Sequence, residues 1–309
     1  MASLIQFKRR IASTSSLAKI FKAQELIAAS RIAHARELKE NSEYYADSIS
    51  RAVISLATHA DINHPMTRER KEIKNAGILV VCSDRGMAGA YSSTLIRETE
   101  KLKRELQEKG LNVELYVSGK RGESYYKFRD IPLAGVWTGK SDMPNAERAN
   151  EIGKKLVTDY LSEDPETRID QLYIVCMKFV NTVKQHPRII RMLPLKLETV
   201  TLDENGNVKD TATGKAHNPP PTYEFEPSVE DVLDAIFPRY VSSRLHECML
   251  ESALCETASR QQAMHTANDN ASELVDDLVR KLNKARQAVI TNELTEIVSS
   301  ADALKEDKH

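Results

Sequence analysis

Glycine and proline are missing from both ends of this chain. All eleven glycines and all eleven prolines lie between Pro65 and Pro238. These two residues are the strongest local breakers of a helix, so neither Met1–His64 nor Arg239–His309 carries the usual signal to stop one. At 1.5 Å per residue the head would be a helix roughly 95 Å long and the tail one of roughly 105 Å. Neither fits inside an ordinary globule. The form is therefore two very long helices bracketing one punctuated domain: head 1–64, centre 65–227 and tail 228–309, with a polar hairpin or linker over 201–227.

Other shortages exclude function classes. The four cysteines, Cys82, Cys176, Cys248 and Cys255, make no C-x-x-C and no His/Cys ligand spacing. That argues against a disulfide framework and a zinc site. No run of eighteen apolar residues exists, so no helical membrane span or direct membrane insertion is expected. A formal net charge of −1 gives no global pull toward nucleic acid or membrane. Local charge is uneven, with seven Lys or Arg and one acid between Met1 and Arg36. The first twenty-four residues lack acids and are rich in Ser, a composition shared by transit peptides and basic helices.

What is present sorts by period. In the head, Leu17, Phe21, Ala28, Ala35, Leu38, Tyr45, Ile49, Ala52 and Leu56 follow alternating three- and four-residue steps, a coiled-coil stripe interrupted by Gln24, Arg31 and Ser42. In the tail, Ile290, Leu294, Ile297, Ala301 and Leu304 form a clean seam of the same kind. Between them, the apolar runs 77–82, 113–117, 131–137, 172–180 and 188–195 read as strands. The stretches 93–109, 123–128 and 146–161 read as helices. Gly110 is placed to cap the first of these helices. Strands alternating with helices imply a mostly parallel α/β sheet. Ser228 to Asp231 approximates a capping box that starts the tail helix, with Pro238 expected to kink its first turns. The economical arrangement for head and tail is an antiparallel coiled coil.

Two stretches imitate enzyme sites. Ser83–Ser92 is a Gly-containing loop between strand and helix, where phosphates often bind, but it holds only Gly86-x-x-Gly89. Gly135–Ser141 resembles a P-loop one residue short, with Ala134 where glycine is required. Neither satisfies its fingerprint. No His-Asp-Ser or Cys-His set stands out, and no catalytic, cofactor-binding or metal-binding residue is proposed. An α/β nucleotide-binding enzyme with coiled-coil oligomerisation arms remains the alternative at this point.

Motifs at both ends resemble one family. MASLIQFKRRIAST and KIFKAQELIAASRI at the head, SDRGMAGAY after the first strand, and YEFEP and PRYVSS before the tail are similar to those of the γ subunits of bacterial-type F-type ATP synthases. Asn283–Ala288 and Ile290–Ile297 match nearly residue for residue. The resemblance implies a Rossmann-like central domain and a helix from the first residue rather than a removed presequence. It implies a non-catalytic central-stalk rotor, coupling rotation of a c ring to conformational cycling of β-subunit catalytic sites, in a proton-translocating complex. Implied partners are three α and three β subunits around one copy, an ε subunit and the c ring, with no nucleic acid and no cofactor. The implied location is peripheral, at the cytoplasmic face of the plasma membrane. Lys22, Arg260, Gln287, Thr291 and Glu293 match family positions that touch β subunits, and Tyr223 and Glu226 match positions facing the c ring. Gln24 stands where the family commonly has Met.

Overall fold

The structure, a computed structural model, describes the backbone of residues 2–59, 64–195, 201–202, 208–209, 216–217 and 229–306, and side chains over 4–53, 64–195 and 231–298. Tyr223, Glu226, Ser228 and the side chains of Leu56, Ala301 and Leu304 lie outside that description.

Helix α1 spans Ala2–His59 and helix α5 Val229–Glu306. Between them come β1 (Asn75–Val81), α2 (Tyr91–Glu108), β2 (Asn112–Ser118), α3 (Lys120–Phe128), β3 (Gly135–Trp137), α4 (Ala146–Leu161), β4 (Gln171–Phe179) and β5 (Gln185–Leu193). Three two-residue strands, β6 (Thr201–Leu202), β7 (Val208–Lys209) and β8 (Ala216–His217), form a separate antiparallel sheet. The chain divides into two compact units, residues 29–260 and residues 1–28 with 261–309. The cuts fall inside both long helices.

In the first unit the main sheet has the order β3-β2-β1-β4-β5, parallel except for β5. Alternation along the strands explains its two covered faces. Ile78, Val80, Leu115, Val117 and Val175 point to the side closed by α2 and α3. Leu79, Val81, Tyr116, Ile174 and Cys176 point to the side closed by α4 and by the start of α5. On α5, Leu233, Phe237, Val241, Leu245 and Cys248 repeat every three or four residues, which lays one helical face on the sheet. Gly153 of α4 permits the approach, because a Cβ there would lie 2.5 Å from Ser242 Oγ on α5.

Two expected strands change shape. The segment 131–137 contributes to the ladder only from Gly135. Pro132 has no N–H to give, although Ile131 and Leu133 still pack against the core. The fifth strand starts earlier than expected, at Gln185, and carries Pro187 on the sheet edge, where a missing donor is tolerated.

The long helices meet as expected within this unit. Ile32 and Ala35 of α1 cluster with Leu254 and Ala258 of α5. Further along α1, Lys39 Nζ reaches Glu251 of α5 at 3.9 Å, so α5 runs backwards as α1 runs forwards. The seam departs from the expected stripe at Tyr45, which is 60% exposed while Ala46 is buried. The 3.6-residue turn rotates a 3.5-residue pattern away from its partner over several turns. In the second unit, Met264, Ala271 and Leu278 of α5 are buried at seven-residue spacing, whereas Leu17 of α1 is exposed. His265 Nδ1 lies 3.3 Å from Glu25 of α1. Burial would raise the Glu25 carboxyl, but the hydrogen bond from Lys22 leads the effects that hold it below its usual range.

Candidate functional site

In an open parallel sheet, ligands bind beyond the carboxyl ends of the strands where the strand order reverses. Here that point lies between β1 and β4. β1, β2 and β3 progress toward one edge, and α4 carries the chain back to place β4 on the other side of β1. The crevice is occupied by the chain itself.

Asp84, three residues past β1, fills the place of an anion. Its Oδ1 accepts from the amides of Lys120 at the start of α3 and of Gly139, both at 3.0 Å. Its Oδ2 accepts from the Ser141 amide at 2.8 Å, and the Asp84 amide donates to Ser141 Oγ at 2.8 Å. The P-loop lookalike therefore does turn backbone amides toward a carboxylate, but one supplied by the neighbouring loop. Gly119 allows the close passage: its φ is +111°, and a Cβ would sit 2.2 Å from the Cys82 carbonyl oxygen. Ser83 and Ser92 hydroxyls meet at 2.7 Å and close the other loop on itself.

Helix α5 covers the opposite half of the crevice. Ser252 Oγ accepts from the Met177 amide and Glu251 Oε1 from the Phe179 amide, each at 3.3 Å, where β4 ends. Glu256 is 1% exposed. Burial raises its carboxyl above the usual range, opposed by the Arg260 guanidinium and the Ser141 hydroxyl. Arg260 Nη2 holds Glu256 Oε1 at 2.7 Å and lies 3.5 Å from the carbonyl oxygens of Arg85 and Gly86. Burial pushes the nearby Cys82 thiol up to about 12, with the Glu256 charge adding to the shift. Such a thiol is a packing group rather than a nucleophile.

The family-matched residues fall in several settings. Lys22 is exposed and pairs with Glu25 at 3.1 Å. Arg260 is buried in its ion pair. Gln287, Thr291 and Glu293 are exposed, and the Thr291 hydroxyl donates to the Gln287 carbonyl at 2.9 Å. Beside them Ile290, Leu294 and Ile297 are 46%, 57% and 63% exposed. Together they form an exposed apolar row near the end of α5. Sequence reasoning missed Asp84 and Glu256. The four-residue spacing of Glu256 and Arg260 was a readable sign of a pair, but nothing local said it would be buried.

Comparison with known proteins places the chain. A family model described as ATP synthase matches residues 3–304. The chain is 50% identical to the ATP synthase gamma chain of Bifidobacterium adolescentis over 304 residues, 98% of each chain. It is 44% identical to that of Micrococcus luteus over 303 residues, again 98% of each. The fold is similar to a chain in the rotor of Euglena gracilis mitochondrial ATP synthase, with a TM-score of 0.66 at 14% identity over 94% of this chain and 99% of that one. It is also similar to a chain of the Tetrahymena thermophila central stalk and c-ring structure, with a TM-score of 0.57 at 19% identity over 80% and 99%. This chain belongs to the family of ATP synthase gamma chains.

Proposed function

We propose that the chain is the central-stalk rotor of a proton-translocating F-type ATP synthase, with no catalytic site of its own. One copy would turn inside three α and three β subunits, driven through the c ring and contacting ε. The complex would sit peripherally at the cytoplasmic face of the plasma membrane. The observation that carries this reading is 50% identity over 98% of both chains with a gamma chain. Among the described residues no helix is long and apolar enough to cross a membrane, which fits a peripheral subunit. The functional division is 1–64 and 228–309 as the shaft and 65–227 as the foot.

The mechanism follows from asymmetry. Two helices winding past each other present a different face in each direction. Each β subunit therefore meets different side chains, and rotation shifts the balance of its open and closed states in turn. That is a coupling free energy between shaft angle and nucleotide affinity. Lys22, Gln287, Thr291 and Glu293 would make exposed polar contacts that form and release at low cost, while Ile290, Leu294, Ile297, Ala301 and Leu304 supply the apolar bearing. Tyr223 and Glu226 would face the c ring. Arg260, engaged with Glu256, would touch a β subunit only through the fraction of its guanidinium that stays exposed.

The test is reconstitution with α and β subunits. The chain alone should hydrolyse no ATP, and should co-purify with the hexamer at one copy as an active ATPase. Gln287→Ala with Thr291→Ala should weaken assembly or hydrolysis, each lost hydrogen bond costing about 0.5–1.5 kcal/mol. Turnover by the isolated chain, abolished by Lys140→Ala, would instead support the nucleotide-binding enzyme.

A further inference from the structure

The loop 138–145, between β3 and α4, is tied to three bodies at once. To the sheet it is held by the Asp84 carboxylate, through the Gly139 and Ser141 amides. To α1 it is joined by an ion pair between Asp142 and Arg31. Against α5 it packs through Met143 and Pro144, with Ser141 beside the buried Glu256 and Pro144 beside the His246 ring. His246 Nε2 is buried without a hydrogen-bond partner. Met143 and Pro144 share a cleft with Ala35 and Leu38 of α1 and Leu250 and Ala253 of α5. The loop thus wedges between the two helices from the side.

Its conformation is specialised for this. Gly139 and Lys140 have φ values of +95° and +59°, a left-handed pair that folds Asp142–Pro144 back on the helices, and Asp84 grips the turn from beneath. For a lysine that region is uncommon. Apolar packing of α5 on the sheet resists separation, but the hydrophobic effect is non-directional. Resistance to turning comes from directional polar links set away from the helix axis. Loop 138–145 provides such a link to α1 through Asp142 and packs against α5 from the same turn.

We propose that loop 138–145 is a rotational key locking the helix pair to the α/β domain, with Asp142 as the positioning residue through which torque passes. The proposal rests on the rotor reading. In a complex with its α and β subunits immobilised, a bead attached to the α/β domain reports both ATP-driven rotation and, in the pauses, torsional stiffness. Asp142→Ala should raise the angular variance in the pauses by at least about 1.5-fold, since coupling runs through such bonded networks, without changing unloaded ATP hydrolysis. The reversed pair, Arg31→Glu with Asp142→Lys, should bring the variance back toward wild type. Unchanged variance in Asp142→Ala overturns the proposal, as does a rise that the reversed pair fails to lower, which marks a merely structural role. If Asp142→Ala does not assemble, Arg31→Gln, at a side chain 41% exposed, takes its place in the same measurement, and unchanged variance there overturns the proposal equally. A wild-type bead that does not rotate with ATP sinks the rotor reading instead.

Discussion

Asp170 shows how much one side chain can organise at the start of the sheet. It sits just before β4, where its oxygens accept from the Lys74 and Asn75 amides and from the Arg70 and Arg168 guanidinium groups at 2.8–3.2 Å. Burial by itself would raise the carboxyl, but those donors outweigh it and hold the group below the usual carboxylate range. A carboxyl depressed in the folded state binds fewer protons there than in the unfolded chain. Its stabilisation is therefore full above the unfolded value of about 3.9 and is lost as pH falls through the lower folded value. Asp170→Asn should lower stability at neutral pH and flatten the acid limb below about pH 4. Urea unfolding followed from pH 7 to pH 2 checks both. Asp84 likewise gathers backbone donors at the other end of the strands, but its donors are the very amides that a ligand would need.

At the scale of elements, the decisive contact is that of α4 with α5. Both helices lie on the same face of the sheet, and Gly153 lets their backbones approach. A methyl group at that position must displace Ser242. Gly153→Ala should therefore destabilise the chain by about 1–3 kcal/mol, the usual cost of overpacking. Adding Ser242→Ala should recover part of it, because the closest clash is with the hydroxyl. A double-mutant cycle from thermal unfolding measures the coupling. Pro238 belongs to this scale as well. It lies inside α5, where its missing N–H leaves one ladder bond unmade. Nearby, Asp234 Oδ1 lies 2.9 Å from His64 Nε2, and the same imidazole packs on Phe237 at 4.7 Å. Residues just beyond α1 thus secure the first turns of α5.

At the scale of the whole molecule, the buried core and the exposed apolar row lie in different places. The core lies in residues 29–260, whereas the exposed apolar row on α5 carries little of the isolated chain's stability. Leu294→Asp should change unfolding of the isolated chain by no more than about 0.5 kcal/mol, as for other surface positions. The same substitution should sharply reduce co-purification with α and β subunits, since a charge would be buried in the bearing. Circular dichroism melts beside a pull-down separate the two effects. A loss of stability equal to the loss of assembly would mean that the row is core after all.

Much of this was legible in the residues themselves. The absence of Gly and Pro at both ends, the three- and four-residue steps of the seams and the alternation of apolar runs are local patterns, and local patterns set helices and strands. They gave α4 at its observed bounds, the antiparallel helix pair and, with the end motifs, the family. They could not give the fate of the crevice. Asp84 looked like part of a phosphate loop, and Gly135–Ser141 like half of another, because backbone amides turned toward an anion read the same whichever anion fills them. Only the crossover that sets β4 beside β1 brought Asp84, Ser141, Glu256 and Arg260 into one place, across some 175 residues of sequence. Tyr45 and Ala46 exchanged roles for a related reason. A period marks which residues share a face, but the partner's position around the helix decides which face is covered.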